Sequence, residues 1–457
     1  MVTVQLEAGN QCPSSHIEKH ELSTHTTDIR PSKPLALRLF DSSQLKVLLL
    51  EDINESAIAS FKKCGYQISN RFLLIPQVEV YKDTLTRDKL IEKICDVHII
   101  GIRSKTVLTA EVLNHATKLL AIGCFCVSID QVDLQAAAER GIAVFNSPFK
   151  NSRSVAELAI GGIIMLARQL GDRIREMHSG IWNKTSRNCH EIRGKTLGII
   201  GYGHIGSQLS VLAEALGMSV CFYDILPIMP LGQAKPVDNL GELLEISDFV
   251  TIHVPENQST RDMIGEQEIR KMKQGAFLIN MAGGSVVQLP ALVKALQRRH
   301  LGGAYLDVFS KQPTLNGPYF DYYPELMSCP NLILTPYIGG STEEAQRMIG
   351  HEVSHVLIKY VNDGSSLNSV NFPEIALRPI SETDKGIIRL LHVYQKDPSV
   401  LKEINRILAA HNIEKQFSNT KGNISYVMAD IANVTDIRTL YDAVSVTSTN
   451  IRTRILF

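Results

Sequence analysis

Thr196-Leu-Gly-Ile-Ile-Gly-Tyr-Gly-His-Ile-Gly-Ser-Gln-Leu209 decides the fold of this chain. Leu197 to Ile200 is a short apolar run of the kind that forms a buried strand. It ends in Gly201-x-Gly203-x-x-Gly206 and flows into Ser207–Leu216, which has helical composition. A second short run, Ser219–Tyr223, closes on Asp224. Each part has a physical role in holding a dinucleotide. Gly201 permits the tight turn off the strand, and Gly203 lets the backbone, with His204 and Ile205 beside it, approach a pyrophosphate. Gly206 lets the helix pack closely on the sheet. The phosphates would sit on the positive N-terminus of that helix. Asp224 lies 18 residues beyond Gly206, where a carboxylate can accept hydrogen bonds from ribose hydroxyls. That carboxylate favours NAD over NADP, because a 2′-phosphate would face a like charge. The next residues, Ile225, Leu226 and Pro227, include no Arg or Lys. A lone glycine triplet is weak, but in a strand–turn–helix–strand–Asp frame it is specific.

Outward from this stretch, 457 residues are enough for two or three domains. An apolar fraction of 44% provides an ordinary soluble core. Lys plus Arg equals Asp plus Glu at 47 each, so no overall charge points to nucleic acid or an acidic membrane. The eight cysteines are scattered, and only Cys124 and Cys126 are close. A single Cys-x-Cys in an apolar run reads as core rather than metal site, with thiols of a reducing compartment. Leu158–Ala167 is too short to span a bilayer and reads as a buried helix. Residues 1–43, with no signal-peptide core, read as a flexible tail on a cytoplasmic protein.

From Leu45 the pattern alternates. Leu45–Leu50 reads as a strand, Ser56–Cys64 and Thr86–Ile94 as helices, and Val97–Ile102 as a strand leading into Arg103, Ser104 and Lys105. Leu119–Gly123, the helix Val132–Arg140 and Ala143–Phe145 follow. Such alternation argues for a doubly wound parallel sheet. A long helix, Ser154–Leu170, crosses to the second α/β unit, which carries the glycine fingerprint. Its later strands are Phe249–Val254, Phe277–Asn280, Ala304–Phe309 and Leu332–Leu334, and its later helices are Ile264–Met272 and Leu289–Arg299. Thr342–Tyr360 reads as a helix returning to the first unit. After Pro373, strands at Gly386–Val393, Ile424–Ala429 and Ile451–Leu456 and helices at Pro398–His411 and Asp436–Val444 suit a small ferredoxin-like β-α-β-β-α-β module. The expected divisions are 44–148 and 337–375 for a split first domain, 149–336 for the dinucleotide domain and 384–457 for the C-terminal module.

With these residues in view, the chain from about Leu45 to Phe457 resembles the fungal-type D-3-phosphoglycerate dehydrogenases, within the D-isomer-specific 2-hydroxyacid dehydrogenases. The resemblance is carried by Gly101-Ile-Arg-Ser-Lys-Thr106, Ile122-Gly-Cys-Phe-Cys126, Phe145-Asn-Ser-Pro148, Asn151-Ser-Arg-Ser-Val-Ala-Glu157, the glycine loop, His253-Val-Pro255, and Thr335-Pro336 before Gly339-Gly-Ser-Thr342. It implies two Rossmann-like domains, NAD bound in the second, an active-site cleft between them and a C-terminal ACT domain that binds serine. The reaction implied is the first step of serine biosynthesis. It also implies cofactor contacts at Gly201, Gly203, His204, Ile205, Gly206, Asp224, His253, Val254, Pro255, Met281, Ala282, Asp307, Gly339 and Gly340. Substrate contacts fall at Arg103, Ser104 and Lys105, and an effector contact at Asn412.

Oxidation of a 2-hydroxy acid needs a base for the hydroxyl proton and a cation for the carboxylate and developing carbonyl. The family supplies a His, an orienting Glu and an Arg, and this sequence departs at all three. Its Asn-Ala-Ser-Arg-Gly motif reads Asn280-Met-Ala-Gly283-Gly284, so Gly283 stands at the Arg. Gln312 stands at the Glu in Asp307-Val-Phe-Ser-Lys-Gln312-Pro313, and Tyr337 at the His in Thr335-Pro-Tyr337-Ile-Gly-Gly340. Gly162 stands where the family often has Glu, Val127-Ser-Ile-Asp130 replaces its Gly-Thr-Asn stretch, and Lys396-Asp-Pro-Ser399 replaces an Asn-x-Pro-Gly turn.

Two functions fit these residues. The first is an NAD-binding relative that has lost catalysis, acting as a homo-oligomer or in a mixed oligomer with an active paralogue. The second is a working dehydrogenase of 3-phosphoglycerate, which also reduces 2-oxoglutarate, with a different catalytic set in which Lys311 takes part. A cofactor-sensing adaptor is a third class without specific support.

Overall fold

The computed structural model describes residues 45–66, 77–313, 317, 318, 320–380, 384 and 386–456. The tail expected at 1–43 lies outside them. Three sheets organise these residues.

The first is built from β1 (Lys46–Leu49), β2 (Gln77–Val80), β3 (Ile99–Ile102), β4 (Ala121–Cys124) and β5 (Ala143–Asn146), with α1 (Glu55–Lys63), α2 (Arg87–Ile94), α3 (Ala110–Asn114) and α4 (Leu134–Glu139) between them. All pairings are parallel, in the order β2-β1-β3-β4-β5. Residues of β3 and β4 are buried along their whole length, as expected of strands covered on both faces.

α5 (Ser152–Ala167) leaves this sheet, and α6 (Leu170–His178) turns away from it after Gln169 adopts the left-handed conformation. The second sheet contains β6 (Thr196–Ile200), β7 (Ser219–Tyr223), β8 (Lys235–Pro236), β9 (Phe249–Ile252), β10 (Phe277–Asn280), β11 (Gly303–Leu306) and β12 (Leu332–Leu334). Its order is β12-β11-β10-β9-β6-β7-β8, again parallel throughout. The helices α7 (His204–Ala215), α8 (Leu240–Ile246), α9 (Glu266–Lys271) and α10 (Leu289–Gln297) connect its strands. The apolar stretch read as a buried helix is α5: Ala156, Ala159, Ile163, Leu166 and Ala167 pack with Leu197, Leu209 and Tyr305. Among the described residues no single helix is long and apolar enough to cross a membrane.

α11 (Glu343–Asp363), capped by Thr342 and ended by Gly364 at φ +77°, returns to the first sheet. Its Ile349, Val353 and Leu357 share a core with Leu49, Phe61 and Phe145. The C-terminal module follows as β13 (Ile387–Gln395), α12 (Pro398–Leu408), β14 (Asn412–Lys421), β15 (Ile424–Ala432), α13 (Ile437–Ser445) and β16 (Asn450–Leu456). Its antiparallel order, β14-β15-β13-β16, is that of a ferredoxin-like sheet. One face packs on α12 and α13 through Leu390, Ile404 and Leu440. The other joins the first domain's core through Leu391, Tyr426 and Met428. The buried Arg389 fixes this seam, donating to both carboxylate oxygens of Asp430 at 2.7 and 2.9 Å and to Asp363 O at 3.0 Å.

Candidate functional site

In open parallel sheets ligands bind beyond the carboxyl ends of the strands, where the strand order reverses. In the seven-stranded sheet this point lies between β6 and β9, and the glycine loop and His253 emerge there. Gly201 leaves β6 at φ +90°, and a Cβ on it would lie 2.7 Å from His253 O. A Cβ on Gly206 would run into Gly201 O, so the first turn of α7 rests on the loop. Around Gly203 there is open space instead: a Cβ would meet nothing within 4 Å. The first intrahelical bond is Ser207 N to Gly203 O, 3.0 Å. The N–H groups of His204, Ile205 and Gly206 therefore head α7 without intrahelical acceptors, beside that open side.

Asp224 is aimed by the backbone. Its Oδ2 accepts from Tyr202 N at 2.8 Å and its Oδ1 from Leu226 N at 2.9 Å, which leaves lone pairs on both oxygens for hydroxyl donors. At the end of β9, His253 Nε2 lies 2.9 Å from Thr251 Oγ1. Its Nδ1 is buried and has no partner, a state that ordinarily signals a missing ligand or water. Burial pushes this imidazole down to about 3, so it is neutral. Val254 packs beside Gly201, and Pro255 O accepts from Thr260 Oγ1 at 2.7 Å. An orphaned ring nitrogen, an open glycine cradle and an aimed carboxylate fit a dinucleotide.

After β10, Asn280 organises the turn carrying Met281 and Ala282. Its Oδ1 accepts from Ala282 N at 3.1 Å and its Nδ2 donates to Gly283 O at 2.9 Å. Gly283 does more than lack a side chain. A Cβ there would lie 2.5 Å from Glu256 Cβ and 2.7 Å from Glu256 Oε2. The glutamate packs over the glycine, and its Oε1 accepts from Ser285 N at 2.9 Å. An acidic side chain thus stands where the resemblance implies a guanidinium.

Asp307, after β11, is buried and clamps the segment that bears Tyr337. Its Oδ1 accepts from Ile338 N at 2.9 Å and Thr335 Oγ1 at 2.5 Å, its Oδ2 from Gly339 N at 2.8 Å, and its backbone O from Tyr337 N at 2.9 Å. Gly339 comes close to the carboxylate: a Cβ there would lie 2.9 Å from Oδ2. Gly340 lies against the Asn151 side chain. Tyr337 itself is left-handed, at φ +56°, a conformation that costs a bulky residue about 1–3 kcal/mol and persists only where neighbours impose it. Although 59% of Tyr337 is exposed, desolvation and then the charges of Asp307, Glu256, Cys126 and Asp130 push its phenol above the usual tyrosine value. Cys126 and Asp130 belong to the first domain, so the field at Tyr337 comes from both domains. Gln312 is exposed.

The first sheet reverses its order between β1 and β3, and there Glu51 is buried. Its carboxylate accepts from Arg103 N at 3.2 Å, Lys105 N at 2.9 Å and Thr106 N at 2.7 Å. Three of the turn's N–H groups are spent on Glu51, and Ser104 and Lys105 are exposed. Glu51 and Asp52 are both left-handed, at φ +68° and +51°, so strain is concentrated beside this turn. Gln131 ties the turn to the next loop, with Nε2 2.7 Å from Arg103 O and 3.2 Å from Ser128 O. Phe149 stacks on His204 with ring centroids 3.7 Å apart, which brings the exit of the first domain over the head of α7. Glu51, Gln131, Phe149 and Glu256 escape a motif-based reading; an acid one residue past the apolar run Leu45–Leu50 is the one signal that could have shown Glu51.

Asn412 is exposed at the start of β14, opposite Ala432. Cys124 is buried core, as its setting implied, and burial pushes its thiol far up. No group of three or more potential metal ligands occurs among the described residues.

Residues 160–339 match the family described as D-isomer specific 2-hydroxyacid dehydrogenase, NAD binding domain. The chain is 53% identical to D-3-phosphoglycerate dehydrogenase 1 of Saccharomyces cerevisiae, over 93% of this chain and 90% of that protein. It is 51% identical to D-3-phosphoglycerate dehydrogenase of Dictyostelium discoideum, over 92% and 98%. Among solved structures, D-lactate dehydrogenase from Aquifex aeolicus, complexed with NAD and lactic acid, superposes with a TM-score of 0.59 at 27% identity, over 72% of this chain and 100% of that one. The glycine cradle, the two parallel sheets and these likenesses agree: the chain belongs to the D-isomer-specific 2-hydroxyacid dehydrogenases, among the fungal-type D-3-phosphoglycerate dehydrogenases.

Proposed function

We propose that this chain binds NAD(H) in the cleft between its parallel sheets but is a poor catalyst of the oxidation of 3-phosphoglycerate and the reduction of 2-oxoglutarate. The observation that carries this reading is the Glu256 carboxylate packed over Gly283. The substrate's carboxylate and the carbonyl oxygen gaining charge need a cation there, and they meet an acid. Tyr337 adds a second loss, because a phenol held above its usual value is protonated at neutral pH and takes no proton from a hydroxyl. Gln312 carries no charge to support an imidazolium. General base catalysis contributes roughly 10²–10⁴-fold and an electrostatic donor about 10²–10³. Since such groups act as a unit, the expected deficit is on the order of 10⁴.

The cofactor, when bound, supplies hydride acceptance or donation; the chain supplies its seat. The N–H groups at the head of α7 would meet the pyrophosphate, Asp224 the ribose hydroxyls, and His253 Nδ1 a donor near the end of β9. We assign Met281, Ala282, Val254, Pro255, Asp307, Gly339 and Gly340 to the same cofactor site. Arg103, Ser104 and Lys105 remain able to hold an anionic substrate. The C-terminal module has the strand order and length of an ACT domain, and we assign it as one with Asn412 at its effector position; Lys396-Asp-Pro-Ser399 argues against an unaltered serine response.

An assembly fits this reading. Ile174, Met177, Ile181 and Trp182 are exposed, Trp182 to 80%, on α6 and the segment after it. A strip of this kind is stabilised by a partner, either a second copy or an active paralogue.

The test is NADH absorbance with 3-phosphoglycerate and NAD, and with 2-oxoglutarate and NADH. Turnover at or below the background expected from the losses above supports the proposal. Substantial turnover that Lys311→Ala or Tyr337→Phe abolishes would overturn it and identify an alternative catalytic group.

A further inference from the structure

Away from the cleft, a cavity of about 420 Å³ opens at the seam between the first domain and the C-terminal module. Its walls come from both: Asn114 and Thr117 at and beyond the end of α3, Glu139 and Arg140 at the end of α4, Gln395 at the end of β13 and Arg452 in β16. The volume is that of a small-metabolite site. Arg452 donates to Leu119 O at 2.5 Å, and Arg140 to Ala136 O at 2.8 Å and to Asn114 Oδ1. Neither guanidinium has a carboxylate within ion-pair distance among the described residues. The one acid in the wall, Glu139, accepts from Gln135 Nε2 at 2.9 Å. Two cations therefore face the cavity with only neutral acceptors, against one carboxylate. Burial, chiefly, holds Arg452 down at about 10, as expected of a desolvated cation short of counter-charge.

The site is also built. Gly141 turns at φ +67°, and a Cβ there would lie 3.1 Å from Arg452 Cβ, so glycine lets the chain after α4 lie against the arginine. On the rim, Gln395 N donates to Thr449 O at 3.0 Å and Thr449 Oγ1 to Gln395 O at 3.0 Å. These reciprocal bonds hold Thr449 left-handed at φ +58°.

We propose that this seam cavity binds a small organic anion, a carboxylate or a phosphate monoester, held by Arg140 and Arg452, and that the ligand couples the C-terminal module to the first domain. Each guanidinium keeps N–H donors beyond those already used, and a planar fork matches either anion bidentately. A ligand seated on both walls favours whichever mutual position of the two bodies lets both arginines reach it, which makes the seam a coupling site. The cavity walls include neither Asn412 nor Arg103. The inference does not depend on whether the cleft turns over.

The test is calorimetry on the full chain with succinate and, separately, inorganic phosphate, in buffers matched in chloride, for the native protein, Arg140→Gln and Arg452→Gln. The expected result is millimolar or tighter binding of at least one anion, weakened about tenfold or more by either substitution, as loss of a charge-assisted bond implies. The anion that binds identifies the source chemistry. Arg140 is partly exposed, so Arg140→Gln carries the test if Arg452→Gln does not fold. No binding of either anion at millimolar concentration, or binding that Arg140→Gln leaves unchanged, overturns the inference.

Discussion

Asp224 shows how far single residues were legible. Its spacing from the glycine loop placed a carboxylate where ribose would lie, and in the fold two backbone N–H groups aim it. Asp224→Ala should weaken NADH roughly 10–100-fold, the worth of hydrogen bonds to a charged acceptor, in a calorimetric titration. The same substitution should also cost about 1–3 kcal/mol of stability, because Tyr202 N and Leu226 N lose their acceptor. Glu256 was not legible. The motif comparison registers Gly283 as a missing arginine, whereas the contact between Glu256 and Gly283 joins residues far apart in sequence. Glu51 is the same kind of omission, since nothing local tells that a carboxylate after β1 will collect three N–H groups from the turn after β3.

At the scale of elements, the parallel strands were readable because burial on both faces makes them short continuous apolar runs. β2, β8 and β14 were not. All three are edge strands, which need not alternate or be apolar, and β8 is only two residues long, although the edge strands β5, β12 and β16 were read. β14 (Asn412–Lys421) is mostly exposed and polar, and is defined by its pairing with β15. Helix ends were read a few residues off in both directions: Val132–Arg140 overshoots α4, which begins only after its Asp133 cap, while Ser207–Leu216 misses the first turn of α7. Gly162 on α5 has a packing cause that pattern alone does not reveal. A Cβ there would overlap the ring of Tyr305 in β11, so a larger residue at 162 and a tyrosine at 305 exclude each other. Gly162→Ala should destabilise by about 1–3 kcal/mol, as overpacking does, in denaturant unfolding. With Tyr305→Ala in the background the cost of Gly162→Ala should largely vanish, a coupling that a double-mutant cycle measures.

For the whole molecule, acid sensitivity follows from the buried His392 and the half-buried His98 and His253. Burial lowers His253 to about 3 and His98 and His392 to about 4. The native state therefore stays unprotonated where the unfolded chain, near 6.5, takes up protons. Unfolding then binds protons, so stability rises with pH across roughly 4 to 6.5 and is lost as pH falls through that window. Each group contributes at most about 1.4 kcal/mol per pH unit; His98 contributes less because it is partly solvated. Asp307 and Asp363, raised by burial, offset part of this at the acid end. Denaturant midpoints measured from pH 7 to 4 should fall steadily, and a His392→Gln variant should show a shallower fall. Assembly belongs to this scale too. Trp182→Asp should shift the protein towards monomer in native mass spectrometry, and a co-expressed active paralogue should exchange into the native oligomer; a strictly self-associating protein would contradict the mixed assembly.

Restoring the three missing groups is the most direct test of the proposed loss of catalysis. The rate with 3-phosphoglycerate at saturating NAD is to be measured for all seven combinations of Gly283→Arg, Gln312→Glu and Tyr337→His. Base, orienting carboxylate and cation act as a unit, so single changes should gain little. Gly283→Arg alone must also displace Glu256 from its bond to Ser285 N. The triple variant should exceed the native rate by orders of magnitude and every single variant by a wide margin. A native protein that already turns over as fast as the triple variant would contradict the account.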